Sequence, residues 1–83
     1  MKKFENKSNA FGNLIEKYRI KNGLSRSDLS TKLDLIGVPI SGDEIYRIEK
    51  QKMILKDFEL IAICSVLNIN PNNLIKEFNE KIK

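Results

Sequence analysis

The chain has 83 residues, of which 41% are apolar and 31% charged, with a net charge of +4 and a pI near 9.3. That length fits one small domain, which buries only about 60% of its unfolded surface, and no apolar run approaches the roughly 18 residues of a membrane span. The single cysteine, Cys64, excludes an internal disulfide, and the lack of histidine removes the usual zinc sets and any serine–histidine catalysis.

Residues 1–8 carry three lysines and one glutamate with little apolar periodicity. They are expected to form a flexible basic arm ahead of a single domain over residues 9–83. The opening residues lack the apolar stretch of about 7 to 15 residues that marks a secretory signal, so the expected address is the cytoplasm. From Ala10 onward, Phe11, Leu14, Ile15 and Tyr18 recur at helical spacing, and Gly23 is placed to end this first helix in the left-handed conformation. Ser25 with Asp28 three positions on is a capping pattern, and Leu29, Leu33, Leu35 and Ile36 extend a second helix over residues 25–36 until Gly37. Val38-Pro39-Ile40 must be extended, because proline restricts its predecessor and lacks an amide hydrogen. Ser41 and Glu44 repeat the capping pattern, and Ile45 and Ile48 give the short third helix, residues 41–50, one apolar edge.

A polar link leads to residues 57–67, apolar on most faces and expected to be the most buried helix, with Asn68 as a left-handed exit. Asn70-Pro71 caps a fifth helix in which Leu74, Phe78 and Ile82 repeat every four residues. The predicted class is all-α, a compact bundle of five helices, with Leu14, Tyr18, Leu29, Leu33, Ile45, Ile48, Leu60, Cys64 and Leu67 sharing one core. Cys64 is a small core residue in this reading. Asp57 and Glu59 point to different sides of their helix and suit its N-terminal dipole, so they are not a catalytic pair. Phe58 and Tyr46 read as packing residues. No enzyme, metal or cofactor is expected.

The stretches Gly23-Leu24-Ser25-Arg26-Ser27-Asp28-Leu29-Ser30, Ser41-Gly42-Asp43-Glu44-Ile45-Tyr46-Arg47-Ile48-Glu49, Asp57-Phe58-Glu59-Leu60 and Leu67-Asn68-Ile69, in this order and spacing, resemble the helix-turn-helix domain of phage Cro and repressor proteins, the XRE family. The resemblance covers about residues 11–75 and implies a lambda-repressor-like fold. It also implies a transcriptional regulator, of the repressor kind, that binds a double-stranded DNA operator as a homodimer with residues 41–50 in the major groove. By position, Gly42, Asp43, Tyr46 and Arg47 would face the bases. Arg47 is the strongest candidate, since its guanidinium can donate twice to a guanine edge. Ser25, Arg26, Ser41, Lys50 and Lys52 match positions that contact phosphate. Arg19 and Glu49 match positions that form an internal ion pair in many relatives; the alternative is two ordinary surface charges.

Three departures from the family pattern stand out. The connection between helices two and three is about four residues longer than usual, the mark of a subtype. Residues 41–49 carry Asp43, Glu44 and Glu49 against Arg47 alone, a net −2 on a segment meant to approach a polyanion. Gln51 stands where relatives have glycine, so the exit from the third helix is expected to be strained or differently shaped. Positive charge lies elsewhere: +2 on helix one, +3 over residues 50–56 and +2 on the arm. The alternative function is a protein-interaction module on the same fold, favoured by the acidic third helix and by an exposed Phe78 and Ile82 stripe. Leu74, Phe78 and Ile82 are expected at a dimer interface, unless Phe78 and Ile82 fold back onto helix one.

Overall fold

Five helices form among the described residues, 6–81 of a computed structural model: α1 (Gly12–Lys21), α2 (Arg26–Leu35), α3 (Gly42–Glu49), α4 (Asp57–Leu67) and α5 (Pro71–Lys81). No β-strand occurs among these residues, and none of these helices is long and apolar enough to cross a membrane. The starts of α2 and α3 are reciprocal capping boxes. Ser25 Oγ accepts from the Asp28 amide at 2.9 Å while the Asp28 carboxylate accepts from the Ser25 amide at 3.0 Å. Ser41 and Glu44 do the same at 3.1 and 3.0 Å. Only half of the device exists at α4, where Glu59 accepts from the Lys56 amide but lysine has no acceptor to return.

The first four helices all end in one way. Gly23, Gly37, Gln51 and Asn68 have φ of 72°, 83°, 61° and 56°. Each is followed by an amide that donates five residues back, as from Leu24 to Arg19 and from Lys52 to Arg47. This is the Schellman exit, which satisfies the last carbonyls of a helix without a side chain. Gln51 therefore takes the shape that glycine would, at a steric cost of about 1 kcal/mol.

The apolar residues close one core. α2 packs on α3 and α4, and α1 on α3 and α4. Leu14, Leu29, Leu33, Ile45, Ile48, Cys64 and Leu67 are buried as the pattern predicts, and Ile15, Ile40, Ile63, Ile69 and Leu74 join them. Tyr18 and Leu60 are only half-buried at its edge. Tyr18 stays there because its hydroxyl needs a partner, and it donates to Glu77 Oε1 at 2.8 Å. Close approach of α1 to α3 depends on Gly12, where a Cβ would overlap the Ile48 carbonyl oxygen.

Two expectations need correction. α4 buries more residues than any other helix, as expected, namely Glu59, Ala62, Ile63, Cys64 and Leu67, but it leaves Phe58 and Ile61 at 53% and 63% exposure, so Phe58 is not a packing residue. Leu74 is a core residue at 1% exposure, and Phe78 lies edge-on to Phe11 with centroids 5.7 Å apart. Both are thus engaged within the monomer, Phe78 in the fold-back arrangement, while Ile82 lies outside the described residues. At the other end, Asn6, Lys7 and Ser8 are described, and the Ser8 amide donates to the Gln51 carbonyl at 2.9 Å.

Candidate nucleic-acid interface

The geometry of α3 follows from where its own charges go. Glu49 is wholly buried, and its carboxylate is held by two arginines. Arg19 Nε donates to Oε2 at 2.6 Å and Nη2 to Oε1 at 3.2 Å, while Arg19 Nη1 donates to the Leu24 carbonyl at 2.7 Å. Arg26 Nε donates to Oε1 at 2.8 Å and its Nη2 to Glu16 Oε2 at 3.2 Å. Glu16 also lies 3.7 Å from Lys50 Nζ. Charge-assisted bonds of this kind are the strong ones, and in a dry site they fix both partners. The last turn of α3 is therefore tied to α1 and to the first turn of α2. Arg26, expected at a phosphate, instead has two of its nitrogens committed to this internal network, and its guanidinium carbon sits 5.0 Å from the centre of the Tyr46 ring.

Glu44 is occupied too. Its carboxylate caps Ser41, and the bond from the Ser41 amide holds it below the usual carboxylate range. Of the three acids on α3, this leaves Asp43 on the outward face, and it pairs with Arg47 at 2.7 Å one turn on. The formal −2 of this segment is consequently reduced at its outward face: one carboxylate is buried against two cations, one is matched by an arginine, and the third is turned to the helix start.

The outward face of α3 then consists of Asp43, Tyr46 and Arg47, beside Gly42, where nothing lies within 4 Å of the place a Cβ would take. Tyr46 is 42% exposed, outside the core, with Lys50 Nζ 5.8 Å from the centre of its ring. Lys50 and Lys52 are exposed just past the helix exit, and Ser25 and Ser41 are exposed at the starts of α2 and α3. A capping serine accepts from an amide and still has its hydroxyl proton to donate. Among the described residues no group of three or more acids or cysteines could hold a metal ion. Burial pushes the Cys64 thiol up, which suits an inert core residue.

The exit of α3 is clasped by a part of the chain that the sequence pattern did not single out. Asn9 Nδ2 donates to the carbonyls of Ile48 and Met53 at 3.0 and 2.9 Å, and its Oδ1 accepts from the Gly12 amide at 2.7 Å. Gln51 Nε2 donates to the Asn9 carbonyl at 3.1 Å. The side chain that glycine would lack thus offsets the strain it introduces.

The connection between α2 and α3 is fixed as well. Ser30 Oγ donates to the Ile40 carbonyl at 2.7 Å and Ile40 is buried, so the extended Val38-Pro39-Ile40 segment delivers Ser41 to the cap position.

Two capped helices joined in this way, with the second braced from behind and polar in front, make a helix-turn-helix. A helix-turn-helix family model matches residues 15–74, and the chain belongs to that family, the XRE type. It is a family of DNA-binding regulatory domains rather than of catalysts. No curated protein and no solved structure matches the chain.

Proposed function

We propose that the protein is a sequence-specific DNA-binding transcriptional regulator, a repressor that acts in the cytoplasm by occupying its operator with α3 in the major groove. The observation that carries this reading is the burial of Glu49 between two arginines, with Glu44 turned back to its capping box, which leaves Asp43 and Arg47 as a matched pair on the outward face of α3, beside Lys50 and Lys52. Arg47 then reads base edges together with Asp43, Tyr46 and the bare backbone at Gly42. Ser25, Ser41, Lys50 and Lys52 take phosphates on either side of the groove. Arg26 supports Tyr46 more than it serves the backbone. A homodimer presents two copies of α3 to half-sites about 34 Å apart, or a multiple of it. Since Leu74 and Phe78 are engaged internally, a dimer contact falls to other exposed apolar side chains, of which Phe58 and Ile61 on α4 and Ile75 on α5 are the ones we favour over Ile20, Leu35, Ile36 and Ile54. The same exposed side chains favour the second reading, a protein-interaction module.

Selection of bound DNA from a random pool, followed by titration of the selected site at several salt concentrations, tests the proposal. Each phosphate neutralised contributes about −0.9 to the slope of log affinity against log salt. Lys50→Ala with Lys52→Ala should therefore flatten the slope by roughly 2. Failure to select any sequence would favour the interaction module.

A further inference from the structure

Asp43 has only weak tasks within the fold: in the first turn of α3 its carboxylate suits the helix dipole, and one turn on it pairs with Arg47. The capping box of α3 uses Glu44, its apolar edge uses Ile45 and Ile48, and its buried carboxylate is Glu49. Asp43 and Arg47 have side chains 66% and 57% exposed, and their ion pair at 2.7 Å contributes little to stability in so much water. On a helix that approaches phosphates, a displayed carboxylate weakens binding to every sequence alike. That cost is offset if the carboxylate gains discrimination between bases.

We infer, on the basis of the DNA-binding reading above, that Asp43 and Arg47 read the operator as one coupled unit. Arg47 takes a guanine, and Asp43 takes an exocyclic amino group, cytosine N4 or adenine N6, on a neighbouring base pair. The guanidinium has five N–H donors, and its pairing through Nη2 leaves enough of them to meet guanine O6 and N7 together. The carboxylate accepts only. With Oδ2 turned to Arg47, Oδ1 remains for an amino donor, while guanine O6 and thymine O4 present acceptors and are repelled. Side chains four residues apart on a helix lie about 5 to 6 Å from one another. That reaches from one base pair to a neighbour, given a rise of about 3.4 Å. Asp43 also keeps Arg47 along the helix, away from the phosphates that a long arginine would otherwise find. Gly42 leaves open space of its own at the start of α3, with nothing within 4 Å of the place a Cβ would take.

The test compares motifs selected from a random pool by the wild type, Asp43→Ala, Asp43→Asn and a charge-matched control, Glu80→Ala, on exposed α5 surface. The wild type should select guanine next to a cytosine or adenine, with replacement of that neighbour by thymine or guanine costing roughly 10- to 100-fold. In Asp43→Ala that one column should become uninformative. Non-specific affinity should rise, with a salt slope steeper by about 0.9 as Arg47 turns to a phosphate. Asp43→Asn, whose amide both donates and accepts, should tolerate thymine and guanine there, and Glu80→Ala should keep the wild-type motif. An unchanged motif in Asp43→Ala overturns the coupling but leaves DNA binding standing. A wild type that selects nothing overturns both.

Discussion

Replacing Glu49 by glutamine keeps the volume of the side chain and removes its charge, so it isolates the electrostatic role of the buried carboxylate. In the wild type two guanidinium groups converge on it through three bonds of 2.6 to 3.2 Å. Glutamine retains one acceptor but turns an amide N–H₂ toward an arginine, leaving positive charge in a dry site where Arg19 is 8% exposed. Breaking a buried pair by removing one partner costs about 3 to 5 kcal/mol, and glutamine, as the mildest change, should fall near 3. A domain of this size has roughly 4 to 12 kcal/mol in total. The variant should therefore fold at 25 °C with its melting temperature lowered by about 12 to 24 °C. Urea denaturation followed by far-ultraviolet circular dichroism measures the loss, with Asp43→Ala as a comparison, since an exposed pair contributes less than about 1 kcal/mol. A Glu49→Gln loss as small as that of Asp43→Ala would refute the reasoning, because it would mean that water screens the carboxylate.

At the α3 exit, Gln51→Ala keeps the left-handed backbone strain and loses the bond to Asn9, whereas Gln51→Gly loses the bond but relieves the strain. Glycine should be the more stable of the two by about 1 kcal/mol in the same urea assay, and the opposite order would refute the strain. The hydrogen bond from the Tyr18 hydroxyl holds the Glu77 carboxyl below the usual carboxylate range. Glu77 thus contributes stability that is present above its unfolded value of about 4.3 and is lost as pH falls through its lower folded value. In Tyr18→Phe the Glu77 titration, followed by NMR, should move up toward the ordinary value and the acid limb of stability should flatten; an unmoved midpoint would assign the shift to Lys17. Phe58→Asp should dissociate the proposed homodimer in sedimentation at micromolar concentration while leaving the melting of the monomer nearly unchanged, since Phe58 is 53% exposed. A mass unaffected by this change would move the interface away from α4.

The parts of the fold legible in the sequence are those set by neighbours in the chain. Ser25 with Asp28 and Ser41 with Glu44 announce two helix starts, Gly23 and Asn68 two exits, and Pro39 the extended connection, because each acts over three to five residues. The left-handed Gln51 was legible only as glycine missing from a place where relatives have it. Long-range pairings left no such trace. Nothing local distinguishes Arg26, which turns inward to Glu49, from Lys50 or Lys52, which remain at the surface. The periodicity of α5 identifies Leu74 and Phe78 as one stripe, but it does not say whether a second chain or Phe11 covers that stripe. α4 illustrates the converse: apart from Asp57, Glu59 and Ser65 its composition is apolar, yet it packs mainly on α1 and α2, and Phe58 and Ile61 are left facing water. The charge count failed for the same reason, since a sum over residues 41–49 cannot see that Glu49 is buried against α1 and α2.

The Asn9 clasp has a consequence for the order in which the molecule assembles. Its bonds close loops of 39 and 44 residues, to Ile48 and Met53. Contacts of such separation carry a closure entropy that local turns do not, and they delay folding accordingly. On the ribosome, residue 9 emerges early but must wait for residue 53 before its side chain has partners. The α2 and α3 capping boxes, by contrast, can form as soon as their own residues are out. The helix-turn-helix is thus expected to acquire its helices first and its fixed orientation last, when residues 8 to 12 return to seal the end of α3.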